Sequence, residues 1–135
     1  MKVIIDASAL SSFLLEEGSQ DKIRELLIKG TFATELVVTE CCNAILMALR
    51  RGRITETQAQ DTIGVLVSFV DNNIKIVREE DRLLREAFRI AKTNNLKVYD
   101  SIYIALAKQL HGSLASLDQR QMEVAKRSSI KLESI

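Results

Sequence analysis

Short runs of β-branched residues alternate along the chain with longer segments of helical periodicity. The runs predict strands at 2–5, 31–34, 74–77, 96–98, 113–117 and 130–132. The segments between them predict helices at 7–15, 19–29, 37–51, 55–70, 80–93, 99–110 and 118–126. Strands separated by helices require crossover connections. The pattern therefore predicts an α/β three-layer sandwich, with a central, mostly parallel sheet of about five strands flanked by helices.

Helix boundaries have local signals in several places. Ser19 and Thr55 have the side chains favoured at N-caps, while Gly30, Gly52 and Gly112 are predicted helix ends. The chain has no internal repeat, low-complexity tract or linker rich in Gly, Ser or Pro. We therefore expect one domain over residues 1–135.

Three acidic residues follow predicted strands. Asp6 and Asp118 come directly after strands, and Asp100 comes just after the short run at 96–98. In parallel α/β folds, ligands bind beyond the carboxyl ends of the strands, so these side chains are predicted to lie along one edge of the sheet. Each also has a simpler interpretation as a helix cap. Gln121 completes a pattern with Asp118 that resembles a capping box.

Glu40 is the acid that is hardest to explain by structure alone, because its helical segment is almost wholly apolar. Burying an ionised carboxylate costs several kcal/mol unless it is paired or binds a metal. Asn43 lies one helical turn on and is a candidate to support the same polar pocket. The alternative is an acid near a helix N-terminus, favoured by the helix dipole.

Taken together, the four carboxylates indicate a metal site. If they converge, their mutual repulsion is costly without a cation, and hard oxygen ligands suit Mg²⁺ or Mn²⁺. A metal held in this way can activate water and stabilise the leaving oxygen when a phosphodiester is cut. The sequence has no Walker glycine loop, no G-x-S-x-G motif and no cysteine in a nucleophile context.

Composition limits the possible partners. The chain has a net charge of +1, so any contact with nucleic acid must be local. Arg50, Arg51 and Arg53 are candidates for contacting nucleic-acid phosphates or for docking an acidic partner, although a solvated helix face is the simpler interpretation.

The cysteines and the N-terminal run bear on location. Cys41 and Cys42 are adjacent and lack zinc-site spacing, so we expect two small apolar residues in a buried helix. The apolar run that ends at Asp6 is too short for a signal peptide or a membrane span. A cytoplasmic protein with no membrane association is the expectation.

Four segments, in this order, resemble the PIN domain. They are VIIDASAL (3–10), Glu40 within its apolar helix, YDSIYIALA (99–107) and SLD (116–118). Their order and the chain length resemble the VapC-type toxins of prokaryotic toxin–antitoxin pairs. The resemblance implies ribonuclease activity that depends on Mg²⁺ or Mn²⁺, a homodimer, and neutralisation by a small cognate antitoxin.

The resemblance also assigns residues. It implies that the acidic quartet of the family is Asp6, Glu40, Asp100 and Asp118. It further implies that Ser8 and Ser116 are supporting hydroxyl positions, with Ser116 standing where threonine is commoner.

Two other functions compete with this interpretation. A PIN-like subunit that binds RNA or protein without cutting would not need all four acids, and all four are present. A phosphoacceptor receiver domain would need paired acids after its first strand and a lysine at a late strand end. Here Asp6 is followed by Ala7.

Overall fold

The computed structural model describes residues 1–18 and 20–135. Its strands are β1 (Val3–Ile5), β2 (Thr31–Thr34), β3 (Ile74–Val77) and β4 (Ser113–Ala115). Its helices are α1 (Ala7–Leu14), α2 (Asp21–Lys29), α3 (Leu36–Arg50), α4 (Glu56–Asn72), α5 (Asp81–Asn94), α6 (Val98–Gln109) and α7 (Gln119–Arg127). Every predicted helix in these ranges is present, with ends shifted by one or two residues.

The strands form one parallel sheet in the order β3-β2-β1-β4. In the middle of the sheet, Ile4 of β1 lies beside Phe32 of β2 and Leu114 of β4. Ile4 and Leu114 are completely buried. This burial matches strands of mostly apolar residues covered by helices on both faces, and the predicted three-layer α/β sandwich is confirmed.

The helices pack in two groups. Helix α3 packs on α1 and α4, whereas α5 lies along α6, which also contacts β1, β2 and β4. Residues 101–107 of α6 are all buried. This explains why the α6 sequence is apolar on every side, a pattern typical of a fully buried helix.

Among the described residues the sheet has four strands, slightly fewer than the predicted count of about five. The run at 96–98 is not a strand, because Asn95 ends α5 in the left-handed conformation (φ 53°) and α6 begins at Val98. The run at 130–132 forms only an isolated bridge, between Leu132 and Leu114 of β4.

Two of the predicted boundary signals can be compared with the structure. Thr55 caps α4, as predicted. It also forms a full capping box with Gln58. Gly30 ends α2 with φ at 97°, a conformation that favours glycine. The predicted cap at Ser19 lies outside the described residues. None of the helices within 1–18 and 20–135 combines the length and apolar character that a membrane span requires.

Gly112 allows β4 to start directly against β1. The amide of Ser113 donates to the Lys2 carbonyl at 2.9 Å. A Cβ atom on Gly112 would lie 2.4 Å from that carbonyl oxygen and 2.8 Å from Cδ1 of Ile4. The carbonyl belongs to the sheet ladder, so it cannot move away without disturbing the pairing of β1 with β4.

We predict that Gly112→Ala lowers the free energy of unfolding by about 1–3 kcal/mol, because it overpacks this contact. Gly64→Ala is the matched control. A Cβ at Gly64, within α4, meets nothing within 4 Å, and alanine favours a helix by up to about 1 kcal/mol over glycine. Urea denaturation of both variants measures the two changes. Equal changes in the two variants would contradict the account.

Candidate active site

The candidate site lies where the order of connections reverses. The chain passes from β1 to β2 on one side, and β4 later returns to the other side of β1. In α/β proteins ligands bind beyond the carboxyl ends of the strands at such a reversal, which here means the ends of β1 and β4. Asp6 directly follows β1, and its amide donates to the carbonyl of Ala115, the last residue of β4, at 3.1 Å. Ser116 and Asp118 follow β4.

Asp6 is the most constrained of the four acids and is only 2% exposed. Its Oδ1 accepts from Oγ of Ser8 at 2.7 Å and from the amide of Ala9 at 2.9 Å. Its Oδ2 accepts from Nε2 of Gln121 at 2.7 Å. Burial raises the pKa of Asp6, and the charge of Asp118 adds to the rise, while the hydrogen bonds from Ala9 and Ser8 oppose it.

Two serines connect the loops that follow β1 and β4. Besides donating to Asp6, Ser8 Oγ accepts from the amide of Leu117 at 2.9 Å and lies 3.4 Å from Oγ of Ser116. Ser116 Oγ accepts from the amide of Asp118 at 3.1 Å. The serines predicted to support the acids therefore lie among them, and their part in catalysis stays a prediction.

Glu40 lies in the second turn of α3 and is half-buried. The phenol of Tyr103, on α6, donates to its Oε1. Burial raises the pKa of Glu40, and the charges of Asp100 and Asp6 raise it further, while the bond from Tyr103 lowers it. Tyr103 is only 2% exposed. The contact joins residues 63 positions apart, so a tyrosine in an apolar helical segment gave no local signal of it.

Asp100 lies in the first turn of α6 and is partly exposed. Burial raises its pKa, and the charge of Asp118 adds to the rise. Two cations that the sequence interpretation passed over, Lys97 and Arg120, act in the opposite direction. Lys97 precedes Asp100 by three residues and Arg120 follows Asp118 by two, so proximity along the chain was a signal that could have found them.

Helix capping and site geometry coexist in two of the acids. Asp6 caps α1, and Asp118 caps α7 by accepting from the amide of Gln121 at 3.0 Å. The capping box predicted for α7 is incomplete, because the Gln121 side chain bonds Asp6 rather than returning to the backbone of Asp118. The simpler interpretation of these acids as caps is therefore correct without being exclusive.

The four acids act on one another in a closed ring of repulsions. The charge of Asp118 raises the pKa of Asp6 and of Asp100, and the charges of Asp6 and Asp100 raise the pKa of Glu40. Each carboxylate thus interacts unfavourably with two others. The fold therefore places each of the four acids that the sequence singled out within electrostatic range of two others.

The chemistry of this donor set fits a hard divalent cation. Among the described residues, no three Asp, Glu, His or Cys side chains lie close enough to enclose one ion. Mg²⁺ does not need such a cage, because it keeps several waters and is usually held by only one or two carboxylates. Carboxylates that repel one another, yet lie too far apart to enclose an ion together, suit an ion that keeps part of its water shell.

Other candidate residues lie away from the acids. Asn43 is exposed and lines a groove between α3 and α4 together with Thr39 and Leu46. The predicted support of Glu40 by Asn43, three residues on along the helix, stays a prediction. Of the two cysteines, Cys41 is buried and Cys42 exposed, so the expectation that both are buried is half wrong. Burial raises the pKa of the Cys41 thiol to about 12, which keeps it protonated.

The arginine cluster lies at the opposite end of α3 from Glu40. Helical rise separates Arg50 from Glu40 by roughly 15 Å. Arg50, Arg51 and Arg53 are exposed, and Arg53 pairs with Glu17. These cations are too far away to contact a phosphate held at the acids.

Comparison with known proteins identifies the family. The sequence profile of the PIN domain matches residues 3–127, and the chain therefore belongs to the PIN domain family. It is 31% identical to Ribonuclease VapC3 of Pyrobaculum aerophilum over 125 residues, 91% of this chain and 94% of that protein. It is 27% identical to Ribonuclease VapC1 of Mycobacterium tuberculosis, over 87% of this chain and 86% of that protein.

Solved structures show the same fold. PAE2754 of Pyrobaculum aerophilum superposes with a TM-score of 0.74 at 21% identity, covering 98% of this chain and 83% of that one. FitAcB of Neisseria gonorrhoeae superposes with a TM-score of 0.71 at 14% identity, covering 98% and 96%. The fold predicted from the resemblance is therefore confirmed.

The ring of repulsions predicts how the metal-free protein depends on pH. Asp6, Glu40 and Asp100 have folded-state pKa values above their ordinary range. Their contribution to stability is therefore complete below about pH 4 and is lost as the pH rises through the folded pKa values. Asp100→Asn removes one repelling charge, so in EDTA we expect it to be more stable than the wild type at neutral pH. The gain should stay below roughly 1 kcal/mol, because Asp100 is partly exposed and screened.

Thermal denaturation in EDTA from acidic to neutral pH measures this difference. The advantage of Asp100→Asn should shrink towards acidic pH, where the wild-type carboxyl is protonated. A variant less stable than the wild type at neutral pH would show instead that Lys97, Arg120 and the N-terminus of α6 dominate at Asp100.

Proposed function

We propose that this chain is an endoribonuclease, the toxin of a toxin–antitoxin pair, that hydrolyses RNA phosphodiesters with Mg²⁺ or Mn²⁺ as cofactor. The observation that carries the proposal is the ring of four mutually repelling carboxylates at the switch point of a PIN domain. The proteins named ribonucleases that match nearly the whole chain support the same activity.

One or two ions would be held among Asp6, Glu40, Asp100 and Asp118, each bound directly by one or two of these carboxylates and otherwise by water. When bound, such an ion offsets the repulsion among the carboxylates, polarises a phosphate and makes water more acidic. Asp6 offers a carboxylate already fixed by donors to both of its oxygens. In Glu40, Oε1 is held by Tyr103, and Oε2 is the oxygen that can take a proton from water. The raised pKa of Glu40 suits it to accept that proton.

The cations sort by their distance from the acids. Lys97 and Arg120 act on Asp100, and we expect them to meet the phosphate next to the bond that is cut. Arg50 and Arg51, at the far end of α3, suit a more distant phosphate of the RNA or an acidic surface of the antitoxin.

The partners proposed are a small cognate antitoxin and a second copy of the chain, acting in the cytoplasm. A toxin–antitoxin complex from Klebsiella pneumoniae contains a chain that shares the fold, with a TM-score of 0.60 at 15% identity. It supports an antitoxin partner by analogy of fold.

Cleavage of a labelled single-stranded RNA, with Mn²⁺ and with EDTA, tests the activity. We expect cleavage only with Mn²⁺. Asp100→Asn should reduce the rate by at least roughly 10- to 100-fold, the loss typical even for residues that only support a metal ligand. Asp100 is the acid to replace, because none of the described side chains donates a hydrogen bond to it. Asp61→Asn, on the exposed side of α4, is the control and should cut at the wild-type rate.

Two results would contradict the proposal. Cleavage that persists in EDTA would exclude a metal requirement. A wild-type protein that binds RNA without cutting it, with or without Mn²⁺, would favour the non-cleaving PIN-like subunit.

The positions of the cations predict a difference between two single variants. Lys97→Ala should raise the KM for RNA several-fold more than Arg51→Ala does. Of these two cations, Lys97 is the one that acts on Asp100. Steady-state cleavage with Mn²⁺ measures both. A larger effect from Arg51→Ala would move the RNA path towards the end of α3.

A further inference from the structure

Gln121 touches two of the four acids. It lies in the first turn of α7 and is 2% exposed. Its side-chain Nε2 donates to Oδ2 of Asp6 at 2.7 Å, and its backbone amide donates to Oδ1 of Asp118 at 3.0 Å. Two carboxylates that repel each other therefore share donors from a single residue.

The chemistry of the two groups fixes the orientation of the Gln121 amide. An ionised carboxylate can only accept hydrogen bonds, so the NH₂ group and not the carbonyl must face Asp6. Both side chains are buried, where an unsatisfied donor or acceptor costs more than it does at the surface. The orientation of the Gln121 side chain is therefore fixed by its hydrogen bond to Asp6 as well as by the packing of α7 against the core.

The hydrogen bond from Gln121 to Asp6 joins residues that are far apart in sequence. Oδ1 of Asp6 is bonded by Ser8 and Ala9, which belong to its own loop. Oδ2 is bonded by a residue 115 positions away. Because Gln121 also bonds Asp118, it sets the orientation of the Asp6 carboxylate relative to the acid that caps α7.

We propose that Gln121 is a positioning residue of the active site, which holds the Asp6 carboxylate in the orientation that receives the divalent cation. This inference rests on the proposed metal-dependent function. Residues that hold a metal ligand in place typically contribute roughly 10- to 100-fold to metal affinity or activity.

Gln121→Met tests the proposal, because it keeps the length of the side chain and removes its donor. We expect the Kd for Mn²⁺, measured by calorimetry on the whole chain below the melting temperature, to weaken by roughly 10- to 100-fold. Val124→Ala is the matched control. Val124 lies in the same helix and is 1% exposed, so the variant should lower the melting temperature and leave the Kd unchanged. Should Gln121→Met not fold, Gln121→Asn, whose amide is one carbon shorter, gives the same comparison.

A double-mutant cycle without metal tests the contact itself. Gln121→Glu places a carboxylate against Asp6 and should lower the melting temperature. In Asp6→Asn with Gln121→Glu, the new amide can donate to the new carboxylate, so the double variant should melt above the Gln121→Glu single variant. The double variant should nevertheless not cut RNA, because it lacks Asp6.

The outcomes separate the claims. Wild-type Mn²⁺ affinity in Gln121→Met overturns the positioning role, even if the wild type cuts RNA. Additive losses of melting temperature in the cycle overturn the contact. A wild-type chain that binds no Mn²⁺ overturns the proposed function and, with it, the role assigned to Gln121, while the cycle still reports on the hydrogen bond.

Discussion

Repulsion among four carboxylates is the constraint on which the rest of the site depends. Parallel strands bring the ends of β1 and β4 together, and the helices that follow place Asp6, Glu40, Asp100 and Asp118 within electrostatic range of one another. A fold selected only for stability would not gather like charges at a partly buried edge. Such a cluster favours a positively charged ligand, as the proposed function requires.

Hydrogen-bond donors make this arrangement tolerable in the metal-free chain. Asp6 and Asp118 cap helices, where amides and the helix dipole favour negative charge. Tyr103 donates to Glu40 and Gln121 to Asp6, each from an element distant in sequence. These donors offset part of the repulsion and orient the carboxylates, so stability and readiness for an ion rest on the same bonds.

Local signals predicted most of the fold, and the misses have physical reasons. The apolar runs at 96–98 and 130–132 look like strands, yet the first lies in the short connection between α5 and α6 and the second meets the edge of β4 through a single bridge. Glu40 could be singled out because an acid in an apolar helix is costly. The roles of Gln121 and Tyr103 could not be predicted, because each depends on which carboxylate its side-chain donor meets across the core.

Thermal denaturation of the metal-free wild-type chain, titrated with Mn²⁺ near neutral pH, tests the central claim most directly. A cation that binds the folded carboxylate cluster must raise the melting temperature with its concentration. The rise in melting temperature should become smaller in acid, because protonated carboxyls carry no charge to attract the cation. A melting temperature that does not respond to Mn²⁺, or that rises equally when Asp100 is replaced by asparagine, would contradict the account.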